Sequence, residues 1–140
     1  MKARRAGFGI AFLAALACTP TAPTEPTGDY VRISTDQSAY ELGQTADVLL
    51  ENHHFRHAIE FLGCHFVLER QVGEAWERVG EQFCILVPTI LGPRQSLEWS
   101  WQVQPPRFAG GEHYRYSLDF RTRGTGSPGQ VSSNVFTVSE

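Results

Sequence analysis

Four of the five histidines, His53, His54, His57 and His65, fall within 13 residues of a 140-residue chain. Neutral imidazole is a common ligand for Zn²⁺ and Cu²⁺, which makes His53, His54 and His57 the candidate metal ligands. A specific site needs three or four convergent donors, each oriented by an outer partner. No H-E-x-x-H or H-x-H element occurs, and on extended backbone the adjacent His53 and His54 point to opposite sides. The expectation is a solvated polar loop with no metal and no other cofactor. A histidine-loop metal binder is the weakest of the readings carried forward.

Other chemistry has less support. Ser96, Ser117, Ser132 and Ser133 stand in no G-x-S-x-G elbow. Glu69, Glu77 and Glu81 show no spacing that singles out an acid/base pair. Gly110-Gly111 and the glycines from Gly124 to Gly129 follow no phosphate-loop pattern. No catalytic residue is assigned, and the chain is not expected to be an enzyme. Twelve Lys and Arg against 15 Asp and Glu give a formal charge of −3, without the clustered cations that a nucleic-acid partner requires.

The three cysteines separate into one near the amino terminus, Cys18, and two further on, Cys64 and Cys84. Lys2, Arg4 and Arg5 precede an uncharged apolar run from Gly7 to Ala17, which is too short to span a bilayer as a helix and suits an export leader. Its end, Leu13-Ala14-Ala15-Leu16-Ala17-Cys18, resembles the lipobox of bacterial lipoproteins, with Ala15 where Leu is preferred. That resemblance implies cleavage before Cys18, diacylation of its thiol and a lipid anchor in a membrane of the cell envelope. An ordinary cleaved leader that leaves Cys18 as a chance thiol is the alternative. Residues 1–17 then form the leader, whose loss removes three cations and no acid and moves the formal charge from −3 to −6.

Residues 18–28 alternate Thr and Pro after Cys18, a composition that favours extended polyproline II and builds no core. Ten such residues reach roughly 30 Å. In an oxidising compartment Cys64 and Cys84 are expected to form a disulfide, and closing a loop of ~20 residues contributes about 3 kcal/mol. Their spacing fits neither a zinc pattern nor a C-x-x-C redox motif.

The folded head, residues 29–140, must be built from strands. Leu97–Val103 and His113–Arg121 alternate apolar and polar residues, the signature of half-buried antiparallel strands. Further strands are expected at 30–35, 45–52, 65–71, 76–79, 83–87 and 131–138. Gly73-Glu74 suits a hairpin turn, and 122–130, with its glycines and Pro128, reads as a long turn. Trp76, Trp99 and Trp101 are expected to dominate the core, and Tyr114 to act as a corner tyrosine with a buried ring and a bonded hydroxyl. Together these give an all-β antiparallel sandwich of about seven to nine strands with Greek-key links.

The ordered motifs Tyr40-x-x-Gly43, Val48-x-Leu50-x-Asn52, Phe66-x-Leu68-Glu69-Arg70, Trp76-x-x-Val79, Gly111-x-x-Tyr114-Arg115 and Asn134-x-Phe136-x-Val138 resemble the bacterial immunoglobulin-like domains of envelope lipoproteins. The resemblance covers about 38–140 and implies an immunoglobulin-like sandwich without catalytic residues. Where that pattern has a Pro-Gly turn, this chain has Gly92-Pro93. The expected function is a structural or protein-interaction module of the envelope. Its expected partners are the membrane, through Cys18, and an envelope protein or glycan. The alternative is a protease inhibitor that presents the loops 53–58 or 122–130.

Overall fold

A computed structural model describes residues 30–62, 66–79 and 87–140. Cys18, Cys64, Cys84, His65, the leader, the tether and the strand expected at 83–87 (Val87 apart) lie outside the described residues. The elements are β1 (Val31–Thr35), β2 (Ala39–Glu41), β3 (Thr45–Asn52), β4 (Ile59–Leu62), β5 (Phe66–Val72), β6 (Ala75–Arg78), β7 (Pro88–Leu91), β8 (Ser96–Gln102), β9 (Glu112–Thr122), β10 (Pro128–Ser132) and β11 (Phe136–Ser139). One sheet has the order β1-β3-β8; the second runs β2-β11-β9-β4-β7, with β10 and β5 also on β9 and β6 on β5. The chain crosses between the layers from β1 to β2, from β2 to β3, from β3 to β4, from β7 to β8 and from β8 to β9. This is an all-β, immunoglobulin-like sandwich with Greek-key connections, antiparallel except where β2 runs parallel to β11.

The eleven segments among the described residues exceed the expected number because single strand positions are broken. β4 and β5 both lie along β9, with a register shift between them. β6 and β7 flank them on the outer side, paired to β5 and β4 respectively. The strand expected at 131–138 is likewise two: three residues, Ser133 to Val135, face only Arg115 and Tyr116 between the paired stretches, a β-bulge. Ser133 repairs the ladder, because its Oγ accepts the Tyr116 N–H at 2.9 Å and its own N–H donates to the Tyr116 carbonyl at 2.8 Å. Asn134 fastens the bulge to β1, accepting the Thr35 N–H at 2.9 Å and donating to Thr35 Oγ1 at 2.8 Å.

The long turn expected at 122–130 is also corrected. β9 continues to Thr122 and β10 begins at Pro128, so only 123–127 connect them. Glycine rather than flexibility explains the composition there: a Cβ on Gly129 would stand 2.7 Å from Phe120 Cε2, so the buried ring lies where any side chain would go. The β5–β6 hairpin is the one expected. Val72 faces Ala75 across Gly73-Glu74, and Gly73 has φ +63°, the positive value that a type II′ turn needs at its first central position.

The core between the layers is aromatic, but not through tryptophan. Phe136 is fully buried, with Tyr40 edge-on at 5.4 Å and Tyr114 and Tyr116 stacked at 5.9 and 5.6 Å. Trp99 and Trp101 point inward opposite Val48 and Ala46, yet remain half-buried because β8 is an edge strand. Trp76 is half-buried beneath Arg115, whose guanidinium carbon stands 4.3 Å from the ring centroid while its Nε donates to Glu69 at 2.7 Å. The corner role expected of Tyr114 is present: its ring is buried and its hydroxyl accepts the Ala109 N–H at 2.7 Å.

Between β1 and β2 the chain changes sheets. Asp36 Oδ1 there accepts the Tyr40 hydroxyl at 2.6 Å and the Asp47 N–H at 2.9 Å. Partial burial works to raise the Asp36 carboxyl, but the bonds from Tyr40, Asp47 and Gln37 outweigh it and hold the group below its usual 3.8. Burial, reinforced by the bond to Asp36, pushes the Tyr40 phenol up to about 12.

Candidate functional site: the loop end of the sandwich

The pairing register places four segments at one end of the sandwich: Tyr30 before β1, the β3–β4 loop (53–58), the β7–β8 turn (92–95) and the β9–β10 turn (123–127). Main-chain bonds join them. The His53 N–H donates to the Tyr30 carbonyl at 2.6 Å, Asn52 N–H to Gln95 at 2.9 Å and Arg123 N–H to Ala58 at 2.8 Å.

Asn52 organises this end. It continues the inward phase of Val48 and Leu50 and is 1% exposed. Its Nδ2 donates to the carbonyls of His57, Leu91 and Gly92 at 3.0, 3.1 and 2.9 Å, sharing two hydrogens among three acceptors. Its Oδ1 accepts the His54 N–H at 3.1 Å. One buried amide thus ties the histidine loop to the neighbouring turn and satisfies groups that would be costly to leave unpaired. The motif containing Asn52 was visible in the sequence. The usable signal was a polar side chain in phase with two buried aliphatic ones.

The turn that departs from the Pro-Gly pattern keeps its geometry. Gln95 N–H donates to the Gly92 carbonyl at 3.3 Å, with Pro93 and Arg94 at the centre. Arg94 has φ +57°, the left-handed conformation that a type II turn imposes at its second central residue and that glycine normally supplies. For a bulky residue this is strained, costing about 1–2 kcal/mol. Arg94 lies over Phe55, its guanidinium carbon 4.4 Å from the ring centroid, and Phe55 itself is 63% exposed. Sequence reasoning missed this pair, which is assembled from two loops and has no linear signature. An open groove of about 570 Å³ runs beside it, lined by Tyr30, Glu51, His53 and Ser96 among others.

The candidate metal ligands do not converge. His53 is exposed and turns towards Glu51, with Nε2 3.6 Å from the carboxylate. His54 points inward and stacks on Tyr30 at 4.7 Å. His57 is brought to His54, edge-on at 6.0 Å. Among the described residues no three His, Cys, Asp or Glu side chains are grouped to hold a metal ion.

No protein-family model matches the chain, and no curated protein matches it. Solved structures do. The Bacillus subtilis sporulation control protein Spo0M aligns with 79% of this chain at 12% identity and TM-score 0.44, and the chain spans about half, 49%, of that structure. The ASH/PapD-like domain 7 of human CEP192 aligns over 96% of this chain and 99% of its own, at 16% identity and TM-score 0.38. The fold rests on the strand pairing described above, and neither protein lends this chain an activity.

Proposed function

We propose that the chain is an exported, lipid-anchored module of the bacterial cell envelope whose immunoglobulin-like head binds rather than catalyses. The observation that carries this reading is the order of parts. A lipobox-like run ends at Cys18, a Thr/Pro tether follows, and a self-contained sandwich begins at its loop end with Tyr30. Acyl chains on Cys18 would supply the anchoring energy, at about 0.8 kcal/mol per buried CH₂. Cells fed radioactive palmitate should label the wild type and not Cys18→Ala; equal labelling of both defeats the anchoring claim.

A Cys64–Cys84 disulfide belongs to the same reading. It is supported by the pairing on either side of both cysteines: Leu62 faces Pro88, and Glu69 faces Arg78. A protease inhibitor is the second reading, favoured by one observation: the two candidate loops lie side by side, joined by the Arg123–Ala58 bond. Inhibition of a peptidase panel by the mature chain would support it, and a binding-only module should inhibit none.

A further inference from the structure

The charge of the head is distributed unevenly along its long axis. The three loops at the Tyr30 end contain Arg56, Arg94, Arg123 and three histidines, and no carboxylate. Glu51 and Glu60 lie next to this end, but each faces a partner, His53 at 3.6 Å and Arg123 at 3.5 Å. Arg56 and Arg94 form no ion pair among the described residues. The opposite end carries Glu41, Glu74, Glu112 and Glu140 against Arg107, which lies over Trp101, and Arg70, which Glu112 faces at 3.9 Å. An otherwise acidic head thus has one cationic end. That end also presents Phe55, the most exposed aromatic ring among the described residues, beneath the strained Arg94.

This is also the end at which the tether arrives. The His53 N–H is bonded to the Tyr30 carbonyl, so the residue to which the tether connects through Asp29 belongs to the loop cluster. Resting on the reading that Cys18 is lipidated, we propose that the end bearing Phe55, Arg56 and Arg94 lies against the anionic lipid surface that moors the chain. Phosphate headgroups pair with the guanidinium groups, and the Phe55 ring enters the interfacial layer, as amphipathic and aromatic groups do at bilayer surfaces. Two arginines and one ring bind a membrane only weakly by themselves. A tether of roughly 30 Å holds them close enough to the surface for weak contacts to suffice. The turn keeps a strained arginine where glycine would be relaxed, and a headgroup contact gives that position a use.

The test places the mature chain on lipid nanodiscs that contain a gadolinium-chelating lipid, with paramagnetic broadening read amide by amide. A dialkyl lipid ligated to a chain starting at Thr19 supplies the anchor whether or not the cell acylates Cys18. Mass spectrometry of native Cys18 tests the anchoring reading separately. On discs with a third phosphatidylglycerol, amides in 53–58, 92–95 and 123–127 should broaden most, and those in 42–44 and 73–74 least. On pure phosphatidylcholine the contrast should fade. Each arginine should change occupancy of the docked state about fivefold, so Arg56→Glu with Arg94→Glu should abolish the contrast. Arg94→Gly, which relaxes the turn, should weaken it while the chain stays folded. Uniform broadening on anionic discs, or strongest broadening at 42–44 and 73–74, overturns the proposal and leaves the loop end free for a protein partner.

Discussion

Asn52→Ala should destabilise the head far more than a single side-chain hydrogen bond would suggest. The substitution takes the Asn52 amide from three carbonyls and one N–H, of which the Gly92 carbonyl keeps the Gln95 N–H. Water can reach the partly buried His57 and Gly92 carbonyls, so their loss is largely compensated. The Leu91 carbonyl and the His54 N–H are buried, and each orphaned group costs about 1–3 kcal/mol. A loss of about 3 kcal/mol is therefore expected, a large share of the 5–15 kcal/mol typical of a whole domain. Urea titration should show a lower midpoint with an unchanged slope, and amide exchange should accelerate first in 53–58 and 92–95. Asn52→Asp sharpens the test, since it sets a carboxylate among three carbonyl oxygens. The introduced carboxyl has a folded pKa above its unfolded value. Its uncharged form is favoured in the fold, so the variant should gain stability as pH falls and lose it as pH rises through that pKa. A loss below about 1 kcal/mol for Asn52→Ala, or an Asn52→Asp variant whose deficit relative to the wild type is largest in acid, would refute the reasoning.

Other outcomes follow from the same geometry. Arg94→Gly should raise stability by about 1 kcal/mol in urea melts, because glycine accepts the left-handed φ and an exposed cation–π contact returns less than that. Tyr40→Phe should flatten the alkaline limb of the stability profile: with the phenol raised, the wild type keeps this contribution below pH 10 and loses it as pH climbs towards about 12. Asp36→Asn should flatten the acid limb instead, because a lowered carboxyl contributes stability above its ordinary 3.8 that disappears as pH falls through its folded value. Gly129→Val should cost about 1–3 kcal/mol in the same melts, since the Phe120 ring must leave its place. Denatured, unreduced mature chain should show no reactive thiol at Cys64 or Cys84 with a colorimetric thiol reagent, and about two after reduction.

Period-two alternation made β3, β8 and β9 legible, since each sets three or more apolar residues in phase. The same rule puts Asn52 in phase with Val48 and Leu50, a signal the sequence analysis left unused, and its four bonds depend on loops that converge only in the fold. Ala39–Glu41, Ile59–Leu62 and Pro88–Leu91 escaped notice because three or four residues are too few for a period to show. β10 was hidden by Pro128 and Gly129, which read as turn residues until Phe120 is seen lying over the glycine. Alternation also gives a side chain's direction but not its depth: Trp99 and Trp101 face inward from an edge strand and stay half-covered, so Phe136 and the three tyrosines fill the centre. The Arg94–Phe55 pair was beyond any linear reading, because residues 39 positions apart meet only when two loops are tied by one amide.

The account stands on the mooring of the head, and the amino-terminal peptide of the mature chain, recovered from native membranes, reports on that most directly. Its mass should correspond to a peptide that begins at Cys18 and carries a diacylglyceryl group. A peptide beginning at another residue, or an unmodified Cys18 recovered in the soluble fraction, contradicts the account.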